Sequence, residues 1–286
     1  MPVLDRIAAA RAMGDSPPEL SLAEGRRWCE LIESRSGLHF PESHWHYLRR
    51  RLWQGARRAA ASSYLDYYCL ASAPDPAGAA EWRNLLEELV NPETAFFRHQ
   101  PSFAALRQPV LAGLRGRGPL TMWSAGCSTG EEAYSLAMCG LAAGPGEVRI
   151  TAMDLSEAAL RHAARGVYHT RQTALVPETW RPRFLRTDGG QAAVAAELRQ
   201  AVRWARFHLL DPASYPESEF DVVFCFNVLI YFRGAARREV IAALLRRVKP
   251  GGYLFLAPGE AAGFDYAGLA EPARWPGTCA WQRVTH

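Results

Sequence analysis

The sequence is almost without lysine. Of its 33 basic residues only Lys249 is a lysine, whereas arginine and alanine are abundant. Such a composition is typical of a genome-wide coding bias, so the arginine content alone does not indicate a nucleic-acid partner. The formal net charge of +4 is mild, and a hydrophobic content of 49% is enough for a packed core. Global disorder is therefore excluded.

Cysteine pairs and long apolar runs are also missing. The six cysteines include no Cys-x-x-Cys spacing, so we expect reduced thiols, no metal site and a cytoplasmic protein. The longest apolar run, residues 222–232, is interrupted by Asn227 and is too short to span a bilayer. The first residues lack the continuous apolar core of a signal peptide. We expect no membrane insertion.

A glycine-containing turn between a predicted strand and a predicted helix is the main feature that is present. Residues 120–123 are apolar and β-prone, residues 124–132 read Ser-Ala-Gly-Cys-Ser-Thr-Gly-Glu-Glu, and residues 133–141 have a helical pattern. Such a turn allows close approach of the backbone and presents free N–H groups at a helix N-terminus. The Gly-x-x-x-Gly spacing is not a dinucleotide fingerprint. A purely structural turn remains the alternative.

An acidic residue follows the next predicted strand. Asp154 comes directly after residues 148–153, at the place where an α/β unit binds a ribose diol through a carboxylate. Ser156 and Glu157 follow and indicate a helix start. The alternative is therefore that Asp154 or Ser156 serves only as a helix cap. The turn and the acid together favour a nucleotide-binding α/β domain.

The first 90 residues have the pattern of a small helical domain. Helices are predicted over 21–36, over 41–58, after Ser62 or Ser63, and over 79–90. We place an N-terminal extension at 1–19, a helical domain at 20–98, a connecting helix or linker at 99–119, and an α/β domain at 120–286. The last of these is expected to end in an antiparallel strand over 278–284.

One face of the second helix is basic. Arg50, Arg57 and Arg58 fall on the same side by helical spacing, whereas Leu48 and Leu52 fall on the other. A basic face attracts an acidic partner, but it is also what a solvated helix shows in an arginine-rich protein. Nucleic acid is not expected, because no aromatic–basic interleaving accompanies the patch.

Three motifs, in this order, resemble the CheR-type family of S-adenosylmethionine-dependent methyltransferases that act on chemotaxis receptor glutamates. They are Glu-Thr-x-Phe-Phe-Arg at 93–98, Trp-Ser-x-Gly-Cys-Ser-Thr-Gly-Glu-Glu at 123–132, and Asn-Val-Leu-Ile-Tyr-Phe at 227–232. The resemblance implies an α/β fold, a Rossmann-like class I methyltransferase domain with a small N-terminal all-helical domain. It also implies a small β insertion at about 183–202.

The resemblance implies S-adenosylmethionine as the cofactor and assigns residue roles by position. Thr94 and Arg98 would approach its methionine part, Glu131 its ammonium group and Asp154 its ribose. The cofactor-binding set is completed by Gly126, His208, Leu209, Asn227 and Val228. Arg98 and Tyr231 would be the catalytic residues, with Tyr231 positioning the acceptor carboxylate; a core aromatic is the alternative for Tyr231. The implied partner is a chemoreceptor-like protein with an acidic helical methylation region, bound by Arg50, Arg57 and Arg58.

Four positions depart from the family pattern. Pro92 and His208 replace asparagines, and Phe226 replaces an arginine. Thr121 stands where many members have an arginine that is implicated in the active site. These changes are compatible with an altered receptor class, or with a regulatory module that binds the cofactor or S-adenosylhomocysteine with little or no activity. A methyltransferase for a small-molecule acceptor is a further alternative.

Overall fold

The computed structural model describes residues 16–90, 93–144, 146–266 and 268–285. The chain divides into two compact units, Met1–Asn91 and Pro92–His286. Most of the predicted N-terminal extension, and Pro92 among the departures from the family pattern, lie outside the described residues.

The first unit is helical in its described part. Its helices are α1 (Leu22–Ser36), α2 (Trp45–Arg58), α3 (Tyr64–Ser72) and α4 (Pro76–Leu89), and a short 3-10 turn, Glu42–His44, precedes α2.

Side-chain caps set the ends of these helices. Ser21 and Glu24 form a reciprocal capping box at the start of α1, and Gly37 ends that helix with a φ of 70°. Helix α4 begins three residues earlier than the predicted residue 79. The physical reason is that the Asp75 carboxylate accepts the Gly78 N–H at 2.7 Å, while Pro76 occupies a position that needs no donor.

The second unit begins its described part with an irregular helix and continues as an α/β domain. The irregular helix comprises α5 (Gln100–Ala105), a π-helical turn (Leu106–Val110) and α6 (Leu111–Leu114). The elements of the main sheet and its helices are β1 (Leu120–Ala125), α7 (Glu131–Ala142), β2 (Val148–Asp154), α8 (Glu157–Arg165), β6 (Val202–Arg206), β7 (Phe220–Cys225), α11 (Gly234–Arg246), β8 (Val248–Leu256), β9 (Ala270–Ala273) and β10 (Cys279–Arg283).

The main sheet has the order β6-β2-β1-β7-β8-β10-β9. The first five strands are parallel, and β10 is antiparallel to both β8 and β9. β2 lies on one side of β1 and β7 lies on the other, so the direction in which strands are added reverses at β1. Such a reversal places a crevice at the carboxyl ends of the parallel strands. The predicted antiparallel final strand is thus present as β10.

Alternate residues of the central strands enter two separate cores. Met122 and Phe224 pack on one face with α7 and the π-helical turn, whereas Trp123 and Val223 pack on the other with α11. The sequence predicts a turn at 249–252, but these residues lie within β8. The pairing of β7 with β8 is irregular there, because Phe220 pairs with Val248 and Val222 pairs with Tyr253.

A second, three-stranded sheet of order β3-β5-β4 is inserted between α8 and β6. Its elements are β3 (Val167–His169), α9 (Arg181–Phe184), β4 (Leu185–Asp188), β5 (Gln191–Val194) and α10 (Ala196–Ala201). The sheet begins at Val167, earlier than the predicted start near residue 183, because Val167–His169 pairs antiparallel with β5.

A helix that crosses a membrane must be both long and apolar, and no helix within the described residues is long and apolar enough.

Candidate functional site

The turn after β1 contains three residues with positive φ. Gly126 has a φ of 91°, Ser128 of 48° and Gly130 of 98°. The Gly126 N–H donates to the Met153 carbonyl at 2.8 Å, so the turn is held against the end of β2. A Cβ atom at Gly126 would collide with the Val228 side chain. Glycine is therefore required here, and the structure brings Gly126 and Val228 together.

Asp154 joins this turn to the start of α8. One carboxylate oxygen accepts the Ser128 N–H at 2.7 Å, and the other accepts the Ser156 N–H at 2.9 Å. The cap of α8 is Ser156, whose hydroxyl accepts the Ala159 N–H. The capping alternative thus holds for Ser156, whereas Asp154 is fixed beside the turn at the carboxyl edge of the sheet.

Glu131 is buried at the first position of α7. Its carboxylate accepts the Thr129 hydroxyl at 2.7 Å and the Gln172 amide at 2.9 Å, and burial raises its pKa. Gln172 was not predicted as a site residue, because it lies 41 positions away in the insertion and no motif marks it. Tyr168, from the same insertion, donates to the Thr129 carbonyl at 2.7 Å.

Two glutamates that were not predicted as site residues lie behind this edge, half-buried Glu132 and buried Glu260. Glu132 accepts the Ser124 hydroxyl at 2.6 Å. Burial raises the pKa of Glu132 to about 8; the negative charge of Glu260 raises it further, whereas the positive charge of Arg98 opposes the shift. Glu132 is the last residue of the motif at 123–132, whereas Glu260 carries no comparable sequence signal.

The segment with Thr94 and Arg98 packs on α7 and on the insertion. The Phe97 N–H donates to the Ser135 hydroxyl at 3.0 Å, and the Phe96 ring meets Tyr168 edge-on at 5.0 Å. Arg98 is exposed and donates to the Glu93 carbonyl at 2.7 Å. Thr94 is half-buried in the same segment.

The loop after β6 contains His208 and Leu209. The His208 ring accepts the Leu210 N–H at its Nδ1 atom, at 3.1 Å, so a neutral ring carries its proton on Nε2. Leu209 is buried, and its carbonyl accepts the Tyr215 hydroxyl at 2.8 Å. Both predicted residues therefore belong to a loop with defined hydrogen bonds.

The loop after β7 contains the remaining predicted residues. Asn227 turns the chain sharply with a φ of 60°, and Tyr231 ends a 3-10 turn, Leu229–Tyr231, where it is half-buried. The ring of Phe226 packs on Phe224 at 5.0 Å and on His99 at 5.5 Å. Phe226 thus packs within the protein, which is one of the two roles open for an aromatic ring at this position.

Thr121 lies away from this edge. Its N–H and its hydroxyl both donate to one oxygen of Asp221 at 2.8 Å, and Lys249 reaches the same oxygen at 2.9 Å. Four residues of β1, about 13 Å at the usual rise, separate Thr121 from Ala125. The loss of an arginine at this position therefore removes no group from the carboxyl edge of the sheet.

The predicted residues Gly126, Glu131, Asp154 and Asn227 meet at the carboxyl edge of the parallel strands. Two of them carry carboxylates: Asp154 accepts the Ser128 N–H of the β1 turn, and Glu131 accepts the Thr129 hydroxyl. Such a set fits a ligand with a cationic group and sugar hydroxyls. S-adenosylmethionine has both, since it carries an ammonium, a sulfonium and a ribose.

The predicted basic face of α2 is exposed, since Arg50, Arg57 and Arg58 all lie at the surface. The Arg58 guanidinium forms ion pairs with Glu81 and Glu88, and Glu81 also accepts the Tyr67 hydroxyl at 2.8 Å. The charge of Arg58 is thus balanced within the first unit by carboxylates from α4.

Two family models match the chain. The model described as "CheR methyltransferase, SAM binding domain" matches residues 92–265, and the model described as "CheR methyltransferase, all-alpha domain" matches residues 23–90. The predicted Rossmann-like methyltransferase domain and all-helical N-terminal domain are thereby confirmed.

Named relatives are similar over most or part of the chain. A chemotaxis protein methyltransferase of Salmonella typhimurium is 31% identical over 250 residues, which are 84% of this chain and 84% of that protein. A probable biofilm formation methyltransferase, WspC, of Pseudomonas aeruginosa is 32% identical over 91% of this chain and 62% of that protein. An uncharacterized 104.1 kDa protein of Rhodobacter capsulatus is 38% identical over 63% of this chain, but this chain spans only 20% of its length.

Proposed function

Because the chain belongs to the CheR methyltransferase family, we propose that it forms glutamate methyl esters on a chemoreceptor or a related signalling receptor. The observation that carries the proposal is the meeting of Gly126, Glu131, Asp154 and Asn227 at the carboxyl edge of the parallel strands. The chemotaxis methyltransferases that resemble the chain over 84% of its length support the class of acceptor.

S-adenosylmethionine supplies an activated methyl group when it is bound, and the family match identifies it as the cofactor. Glu131 would hold its ammonium group, because the carboxylate lies at the start of α7 and is already oriented by Thr129 and Gln172. Asp154 would hold the ribose diol, since the oxygens of a carboxylate together offer about four acceptor sites. Thr94 and Arg98 would hold the methionine carboxylate.

The adenine side would be formed by the loops after β6 and β7. Leu209 and Val228 offer apolar surface, and Asn227 offers an amide that can both donate and accept. His208 presents an Nε2–H group in its neutral form, since its Nδ1 atom accepts the Leu210 N–H. These residues come from two neighbouring loops of the same edge.

Methylation of a glutamate carboxylate requires few catalytic groups from the protein. A glutamate side chain is ionised near neutral pH, with a reference pKa of about 4.3, so no general base is needed. Arg98 and Tyr231 would orient the carboxylate and limit water around it. Orientation of this kind contributes up to about 7–11 kcal/mol in the best intramolecular models.

Receptor recognition would use the first unit. Arg50 and Arg57 lie exposed on α2, and an acidic helical methylation region would be attracted to them. Arg58 would instead stabilise the unit through its ion pairs with Glu81 and Glu88. A cytoplasmic location is consistent with six free cysteines, of which Cys69 is exposed.

The proposal is tested by incubating the purified chain with methyl-labelled S-adenosylmethionine and the cytoplasmic domain of a chemoreceptor from the source organism. We expect a label that is released as methanol by mild alkali, as a carboxyl methyl ester requires, and that maps to glutamates by mass spectrometry. Label that resists alkali would contradict ester formation. Transfer to small acids without transfer to the receptor domain would favour the small-molecule alternative.

A further inference from the structure

The loop after β7 contains backbone N–H groups that the sheet cannot pair. The chain leaves β7 at Cys225, turns sharply at Asn227 and forms the 3-10 turn Leu229–Tyr231. The pairing of β7 with its neighbours ends at Phe224 and Cys225, so no strand pairs with the N–H groups of residues 227 and 230. A buried N–H group without an acceptor costs free energy, so the loop needs an acceptor from elsewhere in the chain.

A single carboxylate supplies that acceptor. Glu260 is 1% exposed, and its Oε2 atom accepts the Asn227 N–H at 3.3 Å and the Ala257 N–H at 3.0 Å. Its Oε1 atom accepts the Ile230 N–H at 3.2 Å. One side chain thus takes two donors from the β7 loop and one from Ala257, the residue after β8.

The loop held in this way connects both parts of the proposed site. Its first residues, Asn227 and Val228, are the predicted cofactor contacts, and Val228 packs against Gly126 of the β1 turn. Its last residue, Tyr231, is the predicted acceptor contact. It ends the 3-10 turn that Glu260 holds at the Ile230 N–H, and its own N–H donates to the Val228 carbonyl at 3.2 Å. The position of Tyr231 therefore depends on how the loop is fixed.

We infer that Glu260 is a positioning residue, which fixes the β7 loop so that Asn227 and Tyr231 face cofactor and acceptor in one arrangement. This inference rests on the proposed function, since it names what holds the acceptor side of that site. A glutamine cannot replace Glu260 fully, because it has one acceptor oxygen, and its amide N–H₂ would face the donors of the loop. An aspartate is one methylene shorter and cannot reach the same set of donors.

Asp221 offers a matched control at the opposite edge of the sheet. It is also a buried carboxylate, and it accepts two donors from Thr121 and one from Lys249. Asp221→Asn removes a buried charge from the same domain without touching the β7 loop. General loss of stability would appear in both variants, whereas loss of positioning would appear only in Glu260→Gln.

The test measures kcat for transfer to the receptor domain in wild type, Glu260→Gln, Tyr231→Phe and the double variant. We expect Glu260→Gln to lower kcat at least tenfold in the wild-type background. In the Tyr231→Phe background we expect it to lower kcat less than threefold, because both substitutions remove the positioning of the acceptor by Tyr231. Asp221→Asn is expected to lower the melting temperature with kcat within twofold of wild type.

The results distinguish failure of the proposed function from failure of the inference about Glu260. An inactive wild-type chain would refute the proposed function on which the inference rests. An active wild type with wild-type kcat in Glu260→Gln, or equal loss of kcat in both Tyr231 backgrounds, would overturn the inference alone. If Glu260→Gln does not fold, Glu260→Asp is measured in the same cycle with the same two criteria.

Discussion

The pKa of Glu132 predicts how the stability of the protein depends on pH. Burial raises this pKa from an ordinary value of 4.5 to about 8, whereas an unfolded chain exposes the carboxyl group to water. A glutamate of this kind stabilises the folded state fully below its unfolded pKa and loses that contribution as the pH rises through its folded pKa. The affected window therefore runs from pH 4.5 to about pH 8.

Glu132→Gln removes this titration and preserves the acceptor for the Ser124 hydroxyl. Each pKa unit corresponds to about 1.4 kcal/mol, so wild type loses about 2 kcal/mol of unfolding free energy from this group between pH 6 and pH 8. The variant does not lose this amount. We expect the two proteins to differ least at pH 6 and the variant to gain relative to wild type as the pH rises.

Urea unfolding at pH 6, 7 and 8 measures the effect, since the midpoint and slope give the free energy at each pH. Glu147 serves as the control, because it lies at the surface beside Arg149 and its replacement by glutamine leaves the Glu132 titration in place. Groups that titrate in the same range without interacting with Glu132 contribute equally to both proteins. Parallel pH profiles of wild type and Glu132→Gln would refute the reasoning.

Three further predictions concern the first unit and the amino-terminal edge of the sheet. Arg50→Glu combined with Arg57→Glu should reduce receptor methylation, most strongly at low ionic strength, and should leave the affinity for S-adenosylhomocysteine unchanged. Normal methyl transfer to the receptor at low salt would contradict receptor docking on this face. Arg58→Ala should lower the unfolding free energy of the first unit by about 1–3 kcal/mol, as measured in urea, because it leaves buried Glu81 without its cation. Unchanged stability would contradict a stabilising role of Arg58. Thr121→Val should cost about 1 kcal/mol of stability with kcat as in wild type, whereas a lower kcat would link this position to the reaction.

The fold was predictable where local signals determine it. The helix predicted over 21–36 begins one residue later, at Leu22, and ends at Ser36 as predicted, and the strand before Asp154 lies within one residue of its prediction. Strand β9 was missed because it has four residues and contains Pro272, which sequence patterns associate with loops.

The candidate site was predictable only in its motif residues. Gly126 and Asp154 follow strands directly, so their place at the carboxyl edge is set by topology. Glu260 was missed because its donors in the β7 loop lie 30 and 33 residues earlier, across one helix and one strand. The pairing of Arg58 with Glu81 depends on the packing of α2 on α4, which helical spacing alone does not reveal.

The central claim is that the carboxyl edge of the parallel strands binds S-adenosylmethionine through the carboxylate of Asp154. Calorimetric titration with S-adenosylhomocysteine tests it most directly, in wild type and in Asp154→Asn, with folding of both verified by circular dichroism. We predict micromolar affinity for wild type and a loss of about 10–100-fold for Asp154→Asn, as expected for removing the charge from a hydrogen-bonded carboxylate worth about 1.5–3 kcal/mol. Absence of binding by wild type, or equal affinity in the two proteins, would contradict the account.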